Sequence, residues 1–198
     1  LKRGKQIYSD WLWKARLRGY QSCVTISEFT HKWTKHYWEI ESQIIHPPVD
    51  THFAVTNKEP NILSVGRFAT SGHSKKQREM VSTFVQMQAQ NGLSAWRYIC
   101  AGSLGDSPEE KAYFDEIACL STGARVEICP NIERADLRRL YEKSAIFWHA
   151  AGFGEDSNVN PRLMEHFGIV TVEAMAAGCI PVVIKKGAQP ELIEHGVS

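Results

Sequence analysis

Glu165-His166-Phe167-Gly168-Ile169-Val170-Thr171-Val172-Glu173-Ala174-Met175-Ala176-Ala177-Gly178 starts as a loop and continues as a helix. Glycine at 168 lets a ligand come close to the chain where the helix begins, and glycine at 178 suits the left-handed residue beyond its last turn. The helix predicted over residues 168–177 lies between two apolar runs at 145–150 and 180–184, each the length of a strand. Strand, helix and strand at this spacing make a parallel crossover.

The alternation continues towards the N-terminus. Further strands are predicted at residues 61–68, 96–101 and 125–129. A helix over 75–90 carries Met80, Phe84 and Met87 at helical spacing, and others are expected over 134–143 and from Pro190 to Glu194. Ser107-Pro108-Glu109-Glu110 reads as a capping box with proline at the first helical position, opening a helix that ends at Gly123. Five strands alternating with helices predict an α/β domain whose parallel sheet is covered on both faces. Ligands of such sheets bind beyond the carboxyl ends of the strands. Those positions hold Gly66-Arg67, residues 102–106, Cys129-Pro130-Asn131, residues 151–167 and residues 185–189.

The first 40 residues differ in character. Six basic residues and one acidic residue, Asp10, precede Gln21, and four of the six tryptophans are Trp11, Trp13, Trp33 and Trp38. Val24-Thr25-Ile26 is a buried-strand candidate, and Thr30 is expected to cap a helix from His31 to about Ile40. His46-Pro47-Pro48-Val49-Asp50 removes two backbone donors and forbids helix, so it reads as a stiff connector with a domain boundary near Pro48.

Composition narrows the classes of function. With 43% hydrophobic and 23% charged residues and a net charge of +1, the 198-residue chain is neither disordered nor a dedicated nucleic-acid binder. No apolar run reaches the roughly 18 residues of a membrane-spanning helix. Five widely spaced cysteines form no CxxC pair and read as reduced core residues of a cytoplasmic protein, and the eight histidines show no HExxH spacing, so no metal is expected. The chain opens on Leu1 and stops at Ser198, which leads to the expectation that both ends are cut.

Two groups of residues could carry chemistry. Two glutamates eight positions apart place Glu165 in the loop and Glu173 in the first helical turns. The amides of Gly168, Ile169 and Val170 would face phosphate oxygens or sugar hydroxyls at the positive helix end. A carboxylate accepts two hydrogen bonds from vicinal hydroxyls and repels phosphate, so Glu173 reads as a ribose holder and Glu165 as a contact near a transferred group. The plainer reading is a glutamate favouring the helix dipole and a solvated loop glutamate. Gly66-Arg67 at a strand end, with Lys75-Lys76 at the next helix start, would bring cations to the same crevice. Taken alone, these are solvated charges.

Together these segments resemble the donor-binding half of a family 4 (group 1) retaining glycosyltransferase of the GT-B fold. The resemblance rests on Val65-Gly66-Arg67 followed by Lys75, on Glu165 through Gly178 with Pro181-Val182, and on Gly187-Ala188-Gln189-Pro190-Glu191, and it covers about residues 44–198. It implies a Rossmann-like parallel sheet with helices on both faces, the donor half, over residues 47–198 and truncated at its C-terminus. Residues 1–46, with Ser27-Glu28-Phe29-Thr30, would be a remnant of the acceptor domain and the connector. It also implies transfer of a sugar from a nucleotide-diphosphate sugar to an acceptor the sequence does not name, with no cofactor and no metal. Arg67 and Lys75 would stabilise the departing diphosphate, with Gly66 beside them. Glu165 would lie by the donor sugar, Glu173 would hold the ribose, and Phe167, Gly168, Ile169 and Val170 would contact hydroxyls and phosphates. The loop around Ile128 and Pro130 would meet the base. The 198 residues alone are expected to turn over little or nothing.

Several features depart from that pattern. The loop between Gly66-Arg67 and Lys75 is long, which leaves Lys75 and Lys76 both open as the phosphate ligand. His149-Ala150 stands where the family usually has Pro-Ser, and an insertion at residues 152–163 leaves Asp156, Asn158 and Arg162 without a role. His149 faces the crevice from a strand end and reads first as a satisfied core or loop imidazole, and His166 reads as positional. The alternatives are a nucleotide-sugar epimerase of the same architecture and a non-catalytic nucleotide-sugar binding module. A dinucleotide-binding dehydrogenase is disfavoured because Gly102-Ser103-Leu104-Gly105 lacks the third glycine. The basic, tryptophan-bearing residues 2–18 read as a cut helix or as a peripheral membrane contact of the full-length protein.

Overall fold

The computed structural model describes residues 12–13, 15–17, 19–70, 74–90 and 93–196. The chain divides between Pro47 and Pro48 into two compact units. Among the described residues no helix is long and apolar enough to cross a membrane. The basic stretch at residues 2–18, read as a cut helix or as a peripheral membrane contact, lies mostly outside the described residues.

In the first unit, β1 (Val24–Thr25) and β2 (Gln43–Ile44) pair in parallel around α1 (Glu28–Trp38). The helix starts earlier than expected. Ser27 rather than Thr30 is its N-cap: the Ser27 hydroxyl accepts from the Thr30 N–H, and the Thr30 hydroxyl accepts from the Ser27 N–H, at 3.0 Å each. Two hydroxyl residues three apart both suit a cap, and the pair forms one capping box whose first member ends the helix. Of the predicted buried strand, Thr25 is buried, whereas Val24 and Ile26 are exposed.

The second unit is built on a five-stranded sheet with every neighbouring pair parallel, in the order β5-β4-β3-β6-β7. Its strands are β3 (Glu59–Val65), β4 (Arg97–Gly102), β5 (Val126–Pro130), β6 (Ser144–His149) and β7 (Ile180–Val183). The connecting helices are α2 (Gln77–Ala89), α3 (Pro108–Leu120), α4 (Arg134–Lys143) and α5 (Ile169–Ala176), and α6 (Gln189–Leu192) follows β7. Successive strand residues point to opposite faces, so β3, β4, β5 and β6 feed two cores. Ile62, Tyr98 and Cys100 pack with Met80, Val81, Phe84, Tyr113 and Ile117 of α2 and α3. Leu63, Val65, Ile99, Ala101 and Phe147 pack with Tyr141 and Ala174 of α4 and α5. The chain therefore has the Rossmann-like α/β architecture expected of it.

Local chemistry sets the ends of the elements. Ser107 caps α3 through the Glu110 N–H at 3.2 Å, with Pro108 at the first position. That helix stops at Leu120, before the glycine at 123, and Met87 of α2 is 40% exposed rather than part of the core. Of the cysteines, Cys100 and Cys179 are buried as expected, but Cys119 is exposed.

At the amino edge of the sheet, Lys58 ties helix ends together. Its Nζ donates to the carbonyls of Ala177 at 2.6 Å, Glu142 at 2.8 Å and Tyr141 at 3.1 Å, where α4 and α5 end. A cation there complements the negative ends of two helices and satisfies carbonyls that have no partner within their own helices. Lys58→Met keeps much of the aliphatic stem and removes the ammonium, so it is expected to destabilise the protein by about 1–3 kcal/mol. The urea midpoint at unchanged slope measures this.

Candidate functional site

Connections leave β3 in one direction along the sheet and return beside it as β6, so the ends of β3 and β6 form the switch point at which ligands of open parallel sheets bind. Two glycines allow the backbones to come together there. A Cβ at Gly102, the end of β4, would lie 1.8 Å from the Gly66 carbonyl oxygen. A Cβ at Gly66 would lie 2.5 Å from Lys75 Cγ, so the lysine stem runs over the strand end. Buried Gln77 fixes the turn by donating from Nε2 to the carbonyls of Gly66 at 3.2 Å and Arg67 at 2.7 Å. The Arg67 side chain remains exposed. Beside it a cleft of about 500 Å3 is lined by Val65, Gly66, Arg67, Gly102, Ser103, Asn131, Ile132 and Leu137.

Glu165 meets the Lys75 ammonium at the strand ends. It is 9% exposed. Its Oε2 accepts from Lys75 Nζ at 2.6 Å, and His149 Nε2 at the end of β6 lies 3.0 Å from the same oxygen. The His166 N–H donates to Oε1 at 3.2 Å, and the Ala188 N–H donates to the Glu165 carbonyl at 2.9 Å. Burial opposes the charge, but the His149 ring and the Lys75 ammonium outweigh it and hold the carboxyl well below the usual carboxylate range. The insertion at residues 152–163 braces this edge. Glu155 takes Lys76 Nζ on its side chain at 2.8 Å and Lys186 Nζ on its carbonyl. Lys76 is thereby turned away from Glu165, in a left-handed conformation at φ 59°.

The nine residues from Glu165 to Glu173 span a change of direction at Gly168, the N-cap of α5, whose φ is 103°. A Cβ there would meet Gln189 Nε2 at 2.7 Å. Phe167 is buried, Ile169 is exposed and Val170 packs against the core. Glu173 is 5% exposed on the helix, with its Oε1 on Arg134 Nη2 at 2.6 Å. Arg134 opens α4, two residues after Ile132 of the cleft, and the sequence reading missed it because nothing local links it to Glu173. Tyr141 lies on the same face, its hydroxyl pushed far up by burial first and by the Glu173 charge second.

The structure brings Gly66, Arg67, Lys75 and Glu165 to one strand-end region and puts Gly168 at a helix start. Ile128 is different. The strand runs on to Pro130, so Ile128 lies inside it with its side chain on the core. Exposed Pro130 ends β5, and Asn131 and Ile132 are the residues of this segment that reach the cleft. Among the described residues, no group of three or more His, Cys, Asp or Glu side chains is placed to hold a metal ion.

A Rossmann-like domain with a cationic strand end facing a buried carboxylate defines the class, and comparison with known proteins gives the family. The family described as glycosyl transferases group 1 matches residues 50–198, and the chain belongs to it. No curated protein sequence matches the chain. Among solved structures, Anabaena HepE in complex with UDP and glucose superposes with a TM-score of 0.64 at 20% identity, over 89% of this chain and 47% of that one. The pneumococcal O-GlcNAc transferase GtfA in complex with UDP and GlcNAc gives 0.61 at 16% identity, over 87% and 32%. TarM gives 0.65 at 13% identity, over 95% and 34%. The chain thus spans a third to a half of the length of these structures, and the likeness is one of fold.

The ion cluster predicts a pH signature. Because the folded protein lowers the Glu165 pKa, its contribution to stability is complete above the ordinary carboxyl value of 4.5 and is lost as pH falls below it. Glu165→Gln is therefore expected to be less stable than the parent at neutral pH, with the gap narrowing steadily below 4.5. Urea unfolding of both proteins across that range measures it. A gap independent of pH would contradict the ionised pair.

Proposed function

We propose that this chain is the donor-binding half of a retaining glycosyltransferase that moves a sugar from a nucleotide-diphosphate sugar to an acceptor without a metal. The observation that carries the reading is the convergence of Arg67, Lys75 and Glu165 at the end of β3. Membership of the group 1 family supports transfer over epimerisation. The structures of HepE and GtfA hold UDP with glucose or GlcNAc, which supports a uridine donor as the first probe. In this reading residues 1–46 belong to the acceptor side.

Each role follows from position and charge. Arg67 is exposed at the cleft and can hold two phosphate oxygens, while Lys75 adds a point charge. Lys75 takes this role rather than Lys76 because Glu155 already holds Lys76. Positive charge there balances what develops on the diphosphate as the bond to the sugar breaks. The first N–H groups of α5, at Ile169 and Val170, have no partner within the helix and face phosphate or hydroxyl oxygens. Glu165, held ionised, accepts from hydroxyls of the donor sugar. Glu173 takes the ribose hydroxyls alongside Arg134. The base lies along the cleft towards Asn131 and Ile132.

Calorimetry with UDP on the intact protein tests the phosphate site. Arg67→Ala is expected to weaken binding about 10- to 100-fold, since hydrogen bonds to charged groups contribute about 1.5–3 kcal/mol, whereas Lys76→Ala changes it by less than about threefold. Unchanged affinity in Arg67→Ala would reject the assignment. Glu165→Gln is expected to keep UDP binding and lose sugar transfer, which separates a transferase from a binding module.

A further inference from the structure

His149 is a buried imidazole without a task in the reading above. It ends β6, is 2% exposed, and stacks on Phe147 with ring centroids 6.3 Å apart and 26° between the planes. Neither ring nitrogen has an aligned hydrogen-bond partner. Buried polar groups in that condition cost free energy, and their persistence at a site calls for a use. The use is indicated by Nε2, which lies 3.0 Å from Glu165 Oε2.

That oxygen has a second partner, Lys75 Nζ at 2.6 Å. The proposed function gives Lys75 to a diphosphate oxygen when the sugar donor binds. Glu165 would then be a buried carboxylate deprived of its cation, which is a costly state. The cation on the neighbouring lysine cannot substitute, because Lys76 is held by Glu155 at 2.8 Å. His149 can. Its Nε2 already lies 3.0 Å from Oε2, and it comes from β6 rather than from the loop that carries Lys75. The ring is also seated against Phe147, which is fully buried in the core between the sheet and α4 and α5. A hydrogen-bond donor on a strand and locked by packing holds its partner more narrowly than one on a loop.

Resting on that reading of the donor site, we propose that His149 is a positioning residue that takes over the Glu165 carboxylate when Lys75 turns to the donor's diphosphate. A purely structural ring at this place would be served as well by phenylalanine, which keeps the volume and the stacking. The two roles therefore separate by substitution.

The test compares variants of the intact protein in sugar transfer from a UDP-sugar and in UDP calorimetry. His149→Phe is expected to lower kcat about 10- to 100-fold while the donor KM and the UDP affinity stay within about threefold and the melting temperature does not fall. His149→Gln, which retains an N–H donor, is expected to recover most of the lost kcat. Parental kcat in His149→Phe overturns the proposal, as does a glutamine variant no better than the phenylalanine one. If His149→Phe does not fold, His149→Gln against His149→Ala gives the same comparison: a faster glutamine variant supports the role and equal rates reject it. Failure of the underlying reading would look different. The parent itself would then bind no UDP and transfer no sugar, and the assignment of His149 would fall with it.

Discussion

A carboxylate removed from water has to be paired, and at the carboxyl edge of this sheet that requirement joins two strand ends. The Glu165 carboxylate draws Lys75 from the segment after β3 and faces His149 at the end of β6, while its main-chain carbonyl receives the Ala188 N–H from the turn after β7. Each partner comes from a different part of the sequence. None of them would be brought near the others by local preference, so the parallel sheet has to exist before the cluster can. Once formed, it fixes the loops against the sheet at the place where an anionic ligand would otherwise meet unbalanced negative charge.

The two edges of the sheet do different physical work. At the amino edge Lys58 spends its ammonium on three carbonyls at helix ends, while Lys143 beside it pairs with Glu59 at the surface. At the carboxyl edge cations are held by acids, as in Lys75 with Glu165 and Lys76 with Glu155. A lysine satisfied by helix carbonyls belongs to the fold. A lysine held by a single carboxylate can exchange that partner for a phosphate at a smaller cost, because one charged group replaces another. The difference between Lys58 and Lys75 is one of what each ammonium would give up.

Period and turn chemistry made most of this architecture legible beforehand. The pattern of α4 marked residues 134–143 without error, because apolar and charged residues alternate cleanly and the helix begins and ends in the open. Ends were read less well where two signals compete, as with Ser27 and Thr30, or where a strand continues past its last apolar residue, as at Ile128 and Pro130. At the site, Arg67, Lys75 and Glu165 could be named because strand ends of a parallel sheet are known in advance to meet. Arg134, Gln77 and Glu155 could not. Their partners lie 39, 10 or 11, and 79 residues away, and a charge or amide in a helix or insertion carries no mark of the residue it will find.

The spacing of the two glutamates acquires a physical meaning only with Gly168 between them. Had the helix begun at Glu165, the acids would lie eight residues apart on a continuous helix, about two turns along one face, and would share one environment. The left-handed glycine breaks that relation. Glu165 stays in the loop between Lys75, from the segment after β3, and the His149 ring of β6, and Glu173 lies in α5 with an arginine from α4. A side chain at 168 would strain the backbone and strike Gln189, whose Nε2 in turn donates to Thr171 Oγ1 at 3.2 Å. The turn after β7 therefore guards the glycine, and the glycine keeps two like charges from competing for one partner. An extended ligand with an anionic middle and hydroxyls at both ends suits such a pair: acids for the ends, and the amides of the helix start between them.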